Sequence, residues 1–155
     1  MTTSVFITDG HWRKTLAATR ALGRQGVSVT VGETTRLATA AFSKYCSQSV
    51  VYPSPRLHPE QFIGSLYHTL SQHPFKMLLA MEDLTLDLIT RYRDRLSRLT
   101  YLPMVNNAKL RLAQRKDHVL KIAASLGIPT PQTWYIRALE QVETLKHELP
   151  YPVVI

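Results

Sequence analysis

The chain has 155 residues, 45% of them hydrophobic, which allows one globular domain or one domain and part of another and excludes a disordered chain. It has no apolar run near the roughly 18 residues of a membrane span and no secretory signal. Its single cysteine, Cys46, excludes an internal disulfide and fits a reducing, cytoplasmic setting. The six histidines lack metal-ligand spacing, so no metal site is predicted, whereas the net charge of +8 favours an anionic partner such as nucleic acid, a nucleotide phosphate or acidic lipid.

The N-terminal third begins with a strand, a helix and a second strand. Ser4 to Thr8 is a short apolar run that ends at Asp9-Gly10, and Trp12 to Gln25 repeats its apolar residues at helical spacing. Val27 to Val31 then supplies the second strand. This order predicts a βαβ unit, whose two strands are parallel.

The same alternation continues to Val105. Further candidates are a short helix in "LATAAFSKYC", a strand in "SQSVVYP", a helix from Pro59, a buried strand from Phe75 to Met81, a helix through Leu88 and Leu96, and an extended segment in "YLPMV". About five strands then alternate with four helices. Residues 1–105 therefore predict an α/β domain with a doubly wound, mostly parallel sheet.

Several polar residues follow the first and fourth strands of this predicted sheet. Ligands of doubly wound sheets bind at the carboxyl ends of strands, and these ends carry Asp9, Gly10, His11, Glu82 and Asp83. A helix-capping role is the alternative for the acidic residues, and it is favoured for Asp83. The single glycine of "TDGHWRKT" disfavours dinucleotide binding, which needs a glycine-rich turn.

The pattern changes after Asn106. Two helical stretches, "NAKLRLAQ" and "KDHVLKIAASLG", are followed by an extended linker at "IPTP", because a proline moves the preceding residue out of helical space. A strand at "TWYI", a helix at "ALEQVETLKHEL" and a strand at "PVVI" complete the chain. Residues 106–155 bury too little for a complete domain, so we predict an incomplete α+β segment.

Two parts of the sequence resemble a known family. "RKDHVLKIAASLGIPTPQTWYI" and the closing "LPYPVVI" resemble the entry segment of the ATP-grasp ligases. "SVFITDG", "PSP" and "MEDLTLDLI" resemble the Rossmann-like pre-ATP-grasp domain of the carboxylate–amine ligase and carbamoyl-phosphate-synthetase-like branches. The resemblance implies a pre-ATP-grasp domain over residues 1–105 and the beginning of an ATP-grasp domain over residues 106–155.

The resemblance also implies a nucleotide contact at the start of the second late helix. The family has a basic residue there, which corresponds to Lys116, and Arg115 is the neighbouring candidate because the family's Asp-Lys order is reversed in Lys116-Asp117. A lysine in a first helical turn opposes the helix dipole but would attract an anion bound to the free amides. An ordinary exposed lysine is the alternative interpretation.

The whole enzyme would, by the same resemblance, use ATP and Mg²⁺ to phosphorylate a carboxylate, and an amine would displace the phosphate. Asp9, Gly10, His11 and Glu82 would help to hold the non-nucleotide substrate. The phosphate-gripping lysine, the glycine-rich lid and the magnesium ligands are expected beyond Ile155. We therefore expect an N-terminal fragment of a longer ligase, with no catalytic residue of its own and no activity alone.

Two other functions are alternatives to this one. The first is a free-standing basic module that binds nucleic acid or another anion through Arg91, Arg93, Arg95, Arg98, Arg111, Arg115 and Lys116. Arginines spaced by two do not share a helical face, and no aromatic-rich motif accompanies them, so nucleic acid is disfavoured. The second is an oligomerisation domain, since ligases of this family often pair their subunits, and a homodimer is a prediction on that basis.

Overall fold

The computed structural model describes residues 3–147, 149–150 and 152–153. It divides into two compact units, Met1–Met104 and Val105–Ile155. In the first unit, the strands are β1 (Ser4–Ile7), β2 (Ser28–Glu33), β3 (Cys46–Val51) and β4 (Met77–Leu79). The helices of the first unit are α1 (Arg13–Arg24), α2 (Pro59–Gln72), α3 (Asp83–Arg91) and α4 (Arg93–Leu96).

The four strands form one parallel sheet in the order β3-β2-β1-β4. This confirms the α/β fold predicted from the alternating elements. The chain adds β2 and β3 on one side of β1 and then returns to place β4 on the other side. The crevice between the carboxyl ends of β1 and β4 is therefore the topological switch point, where doubly wound sheets bind their ligands.

Both faces of the sheet are buried, as is usual for parallel strands. On one face, Phe6 of β1 packs with residues of α2, α3 and α4 in the larger core cluster. On the other face, Val5 and Ile7 pack with Val29 and Val31 of β2 and with half-buried residues of α1. Each fully buried aliphatic or aromatic side chain of this kind stabilises the fold by roughly 1.5–3 kcal/mol.

Three elements of the first unit differ from their sequence-based predictions. The short helix predicted in "LATAAFSKYC" is a 3-10 turn, Thr39–Phe42, and the helix predicted through Leu88 and Leu96 is interrupted at Tyr92. The segment "YLPMV" makes a single parallel bridge, between Tyr101 and Met77. Pro103 follows two residues later and has no backbone N–H to continue that ladder.

The second unit contains α5 (Asn107–Gln114), α6 (Lys116–Ser125) and α7 (Leu139–Leu145). None of these helices has a buried residue. Gly127, with a φ of 71°, ends α6 as the sequence predicts, because glycine readily adopts this left-handed conformation. No helix among the described residues is long and apolar enough to cross a membrane.

The strand predicted at "TWYI" is wrong: Thr133–Ile136 belongs to no strand. β-branched and aromatic residues favour an extended backbone, but a strand also needs a neighbour with which to exchange hydrogen bonds. No described segment pairs with Thr133–Ile136. The strand predicted at "PVVI" falls largely outside the described residues.

Candidate ligand site at the carboxyl ends of the strands

Asp9 begins the turn that leads from β1 into α1. Its φ of 62° lies in the left-handed region, which costs free energy for a residue other than glycine. Its carbonyl oxygen accepts hydrogen bonds from Trp12 N (3.3 Å) and Thr15 Oγ1 (2.6 Å), which fix the turn. Gly10 must follow it, because a Cβ at this position would lie 2.7 Å from Val31 Cγ1.

The carboxylate of Asp9 joins the two strands that border the switch point. Its Oδ2 accepts hydrogen bonds from Thr8 Oγ1 (2.5 Å), Thr85 Oγ1 (2.7 Å), Met81 N (3.2 Å) and Glu82 N (3.0 Å). The residue is only 7% exposed. Burial raises the pKa of the Asp9 carboxyl above 3.8, although the hydrogen bonds from the two threonines act in the opposite direction.

This geometry corrects the capping role considered for Asp9. The N-cap of α1 is Trp12, and no side chain caps that helix. The Asp9 carboxylate instead accepts from the backbone at the start of α3, where a negative charge is favoured by the helix dipole. Asp9 therefore ties β1 to the β4–α3 connection.

Tyr52 is a part of the site that the sequence analysis missed. It follows β3, and its Oη accepts a hydrogen bond from Asp9 N at 2.9 Å. Its ring crosses β2 at Gly32, where a Cβ would lie 2.6 Å from Tyr52 Cε1. Burial and the nearby Asp9 carboxylate both raise the pKa of the Tyr52 phenol, so the hydroxyl stays neutral. A local sequence pattern could not have indicated this contact, because Asp9 and Tyr52 are 43 residues apart in the chain.

Glu33 at the end of β2 fixes the backbone of His11. The buried Glu33 carboxylate accepts hydrogen bonds from His11 N (3.1 Å) and from Thr34 N (2.7 Å). The His11 side chain is exposed. Glu33 is not among the residues predicted from the sequence, although an acidic residue at the end of a strand is a signal of a ligand site in such sheets.

Glu82 and Lys14 form an ion pair at this edge of the sheet. Lys14 Nζ lies 2.5 Å from Glu82 Oε1, with the two side chains 53% and 31% exposed. Glu82 is the N-cap of α3, but its side chain makes no capping hydrogen bond, and Asp83 occupies the first turn. The pair connects the first turn of α1 to the start of α3 and presents one cation and one carboxylate to solvent.

The structure thus brings Asp9, Gly10, His11 and Glu82 to a single edge of the sheet. Asp9 and Gly10 are buried and shape the turn, whereas His11 and Glu82 retain accessible side chains. An arrangement with an imidazole, a lysine and a carboxylate can contact both the carboxylate and the amine of a small polar molecule.

The two nucleotide-binding candidates lie at the start of α6. Arg115 is the N-cap residue, and its guanidinium contacts Asp117 through Nε (3.2 Å) and Nη2 (2.8 Å). Lys116 is the first helical residue, and its exposed side chain forms no ion pair with a described residue. Of the two, Lys116 is the one whose charge is not already engaged by a neighbouring carboxylate.

Three of the arginines considered for nucleic-acid binding contact other groups of the protein. Arg91 Nη2 lies 2.5 Å from Asp87 Oδ2, and Arg95 stacks over the Tyr67 ring, with its Cζ atom 4.0 Å from the ring centroid. Arg93 Nη2 donates to Met104 O at 2.6 Å. Each of these three guanidinium groups is therefore already engaged with a carboxylate, an aromatic ring or a carbonyl oxygen of the protein.

The described residues contain no cluster of three or more His, Cys, Asp or Glu side chains that converges as metal ligands do. The magnesium ligands implied by the family resemblance are not part of the site described above.

Comparisons with known proteins identify the fold. No protein-family model matches the sequence, and no curated protein matches it. The L-amino acid ligase of Bacillus licheniformis is similar in structure, with a TM-score of 0.65 and 17% identity over 97% of this chain and 36% of that protein. The N5-carboxyaminoimidazole ribonucleotide synthetase of Thermus thermophilus gives a TM-score of 0.64 and 19% identity over 96% of this chain and 37% of that protein.

A third similar structure is the biotin carboxylase domain of a single-chain bacterial carboxylase. Its TM-score is 0.63 at 14% identity, over 95% of this chain and 34% of that protein. At these identities the similarity establishes the fold alone, which this chain shares with a part of each of these three enzymes. The chain spans about a third of the length of these proteins, as the coverages of 36%, 37% and 34% show.

Proposed function

We propose that this chain is the N-terminal part of an ATP-dependent ligase that joins a carboxylate to an amine or a similar nucleophile. Residues 1–105 would be its pre-ATP-grasp domain, and residues 106–155 would begin its ATP-grasp domain. The supporting observation is the shared fold over 97% of this chain and 36% of an L-amino acid ligase. The position of Asp9, His11 and Glu82 after the ends of β1 and β4, where doubly wound sheets bind ligands, supports a substrate site there.

The proposed reaction has two steps. A carboxylate oxygen of the substrate attacks the γ-phosphorus of ATP, which forms an acyl phosphate and releases ADP. The amine nitrogen then attacks the acyl carbon, the bond to the phosphate oxygen breaks, and inorganic phosphate leaves. In such transfers the protein mainly positions the reactants and stabilises the developing charge, to which Mg²⁺ at the phosphates would contribute in the full-length enzyme.

The residues of this chain would have separate roles in that reaction. His11 and Glu82 would contact the carboxylate or amine substrate, because their side chains are accessible at the switch point. Asp9 and Gly10 would hold the turn that positions them. Lys116, with Arg115 as its neighbour, would contact the phosphates of ATP. The other nucleotide and magnesium contacts would come from the remainder of the enzyme.

The test compares the 155-residue chain with the longer polypeptide that contains it. Each is mixed with ATP, Mg²⁺ and a panel of amino acids and other small carboxylates, and ADP and AMP are measured separately. We expect ADP release from the longer polypeptide alone, and hydroxylamine should trap the acyl phosphate as a hydroxamate. Release of AMP and pyrophosphate would indicate an acyl adenylate and would contradict the proposal, as would turnover by the shorter chain.

A cytoplasmic location and a homodimeric state are also part of the proposal. The location rests on the single cysteine, Cys46, which fits a reducing compartment, and the homodimer rests on the resemblance to ligases that often pair their subunits. Cell fractionation and light scattering on the longer polypeptide test them directly.

A further inference from the structure

A cavity lined by both polar and apolar side chains lies at the edge of the sheet opposite the candidate ligand site. Its volume is about 290 Å³. The residues that matter for its chemistry are Ser28, Thr30, Ser47, Gln48, Pro74 and Phe75. The first four belong to the beginnings of β2 and β3, and the last two follow the end of α2. This cavity is therefore separate from the switch point formed by the carboxyl ends of β1 and β4.

Thr30 is the residue that makes this cavity unusual. Its residue surface is only 3% exposed, and its hydroxyl forms no hydrogen bond with a described residue. The other buried threonines of the described chain all donate a hydrogen bond: Thr8, Thr15, Thr19, Thr85, Thr90 and Thr100. No fully enclosed side-chain nitrogen or oxygen of the described residues lacks a partner. The Thr30 hydroxyl is therefore open to the cavity, where a ligand can form a hydrogen bond with it.

The neighbouring polar groups point to the same conclusion. The side chains of Ser28, Ser47 and Gln48 also form no hydrogen bond with a described residue, although each lines the cavity. A hydroxyl donates one hydrogen bond and accepts others, and a glutamine amide does both. Hydroxyl groups of a ligand donate and accept from the same atom, so they can form hydrogen bonds with all of these side chains.

The residues that line the cavity also constrain the charge and the size of its ligand. The lining includes the imidazole of His73 but no carboxylate, lysine or arginine, so no permanently charged side chain lines the cavity to neutralise an ionic ligand. Phe75 and Pro74 provide an apolar wall suited to the C–H groups of a carbon skeleton. A volume of about 290 Å³ is near the lower end of the range of roughly 300–1,000 Å³ for small-molecule sites.

We infer that this cavity binds a small, neutral, polyhydroxylated molecule, such as a polyol or a monosaccharide, with the Thr30 hydroxyl as a central hydrogen-bonding group. This site is independent of the proposed ligase reaction, since none of its residues belongs to the candidate ligand site.

The test is a titration of the ¹⁵N-labelled 155-residue chain with glycerol, D-glucose and myo-inositol, followed by amide chemical shifts. At least one of the three should shift the amides of Ser28, Thr30 and Gln48 in a saturable manner, and those of Lys14 and Glu82 should not move. Acetate and methylammonium, used at the same concentrations, should leave the same amides unchanged.

Thr30→Val supplies the matched variant, because it keeps the shape of the side chain and removes only the hydroxyl. Loss of one hydrogen bond should weaken binding about fivefold. Ser49→Ala removes a hydroxyl from the same region of β3 outside the cavity and should bind as the parent chain does. Ser28→Ala is the second test should Thr30→Val fold poorly. The inference is overturned if no polyol gives a saturable shift, if an ion binds instead, or if the folded variants bind unchanged.

Discussion

The phenolic oxygen of Tyr52 accepts a hydrogen bond from the backbone N–H of Asp9 at 2.9 Å, which connects the end of β3 to the turn after β1. The strand between them, β2, lets the tyrosine ring pass because it carries Gly32 at the crossing point. The Asp9 turn is thus held from β3 by Tyr52 and from the β4–α3 connection by its own carboxylate.

Tyr52→Phe should lower the free energy of unfolding by about 1–3 kcal/mol, because it leaves the buried Asp9 N–H without an acceptor. Urea denaturation followed by circular dichroism measures this change. Tyr45→Phe is the matched control: its hydroxyl has no hydrogen bond to a described residue, so its stability should change by less than about 0.5 kcal/mol. Equal effects in the two variants would contradict the importance of the Tyr52–Asp9 hydrogen bond.

Gly32→Ala should be destabilising by about 1–3 kcal/mol, since the new Cβ would lie 2.6 Å from Tyr52 Cε1 and 2.7 Å from Phe6 Cζ. Gly64→Ala, in α2, has open space around its Cβ and should instead stabilise by roughly 0.5–1 kcal/mol. Thermal and urea unfolding of the two variants would therefore shift in opposite directions. A stabilising Gly32→Ala would show that the tyrosine ring does not cross β2 as described.

Asp9→Asn should remove a specific pH dependence of stability. Burial raises the pKa of Asp9 in the folded state above the value of 3.8, so the folded state binds this proton more tightly than the unfolded chain does. The contribution of Asp9 to the free energy of unfolding is therefore greatest below pH 3.8 and decreases as the pH rises through the folded-state pKa.

Asparagine keeps an oxygen acceptor at this position but does not titrate. The free energy of unfolding of the parent chain minus that of Asp9→Asn should decrease from pH 3.8 upward and become constant above the folded-state pKa of Asp9. Urea denaturation at a series of pH values gives this difference. A difference that grows with pH would mean that the hydrogen bonds to Oδ2, and not burial, dominate the pKa of Asp9.

In the proposed ligase, Lys116→Ala should raise the KM for ATP about tenfold or more, because a charge-assisted hydrogen bond to phosphate is worth about 1.5–3 kcal/mol. Lys109→Ala removes an exposed lysine from the first turn of α5 and should leave this KM unchanged. Steady-state ADP formation at varied ATP concentration measures both. Equal KM values for parent and Lys116→Ala would remove Lys116 from the proposed nucleotide site.

The sequence predicts the sheet-forming part of this fold well because its signals are local. The apolar run before Asp9-Gly10, the helical spacing after Trp12 and the proline at the start of α2 each depend on neighbouring residues. The same rules place Asp9, His11 and Glu82 at strand ends. They predict a doubly wound sheet without fixing which strand lies beside β1.

The remaining features depend on contacts between distant segments. In the sequence, Tyr52 is an aromatic residue after a strand with no feature that indicates a role. Its hydrogen bond to Asp9 depends on the strand order, in which β2 lies between β3 and β1. Thr133–Ile136 shows the opposite case, in which a suitable composition has no described partner strand. Hydrophobic periodicity identifies which residues favour extended backbone, but pairing is a property of the whole fold.

The return of the chain to place β4 beside β1 also has a consequence for synthesis on the ribosome. β1, β2 and β3 emerge in the order in which they pair, whereas the donors to the Asp9 carboxylate at Met81, Glu82 and Thr85 follow it by 72, 73 and 76 residues. Early in translation the Asp9 carboxylate of the nascent chain would lack these hydrogen-bond donors, and the edge of β1 would lack its neighbouring strand β4. Closing such a long-range contact is slow compared with local pairing, so this edge is where we expect a nascent-chain chaperone to bind first.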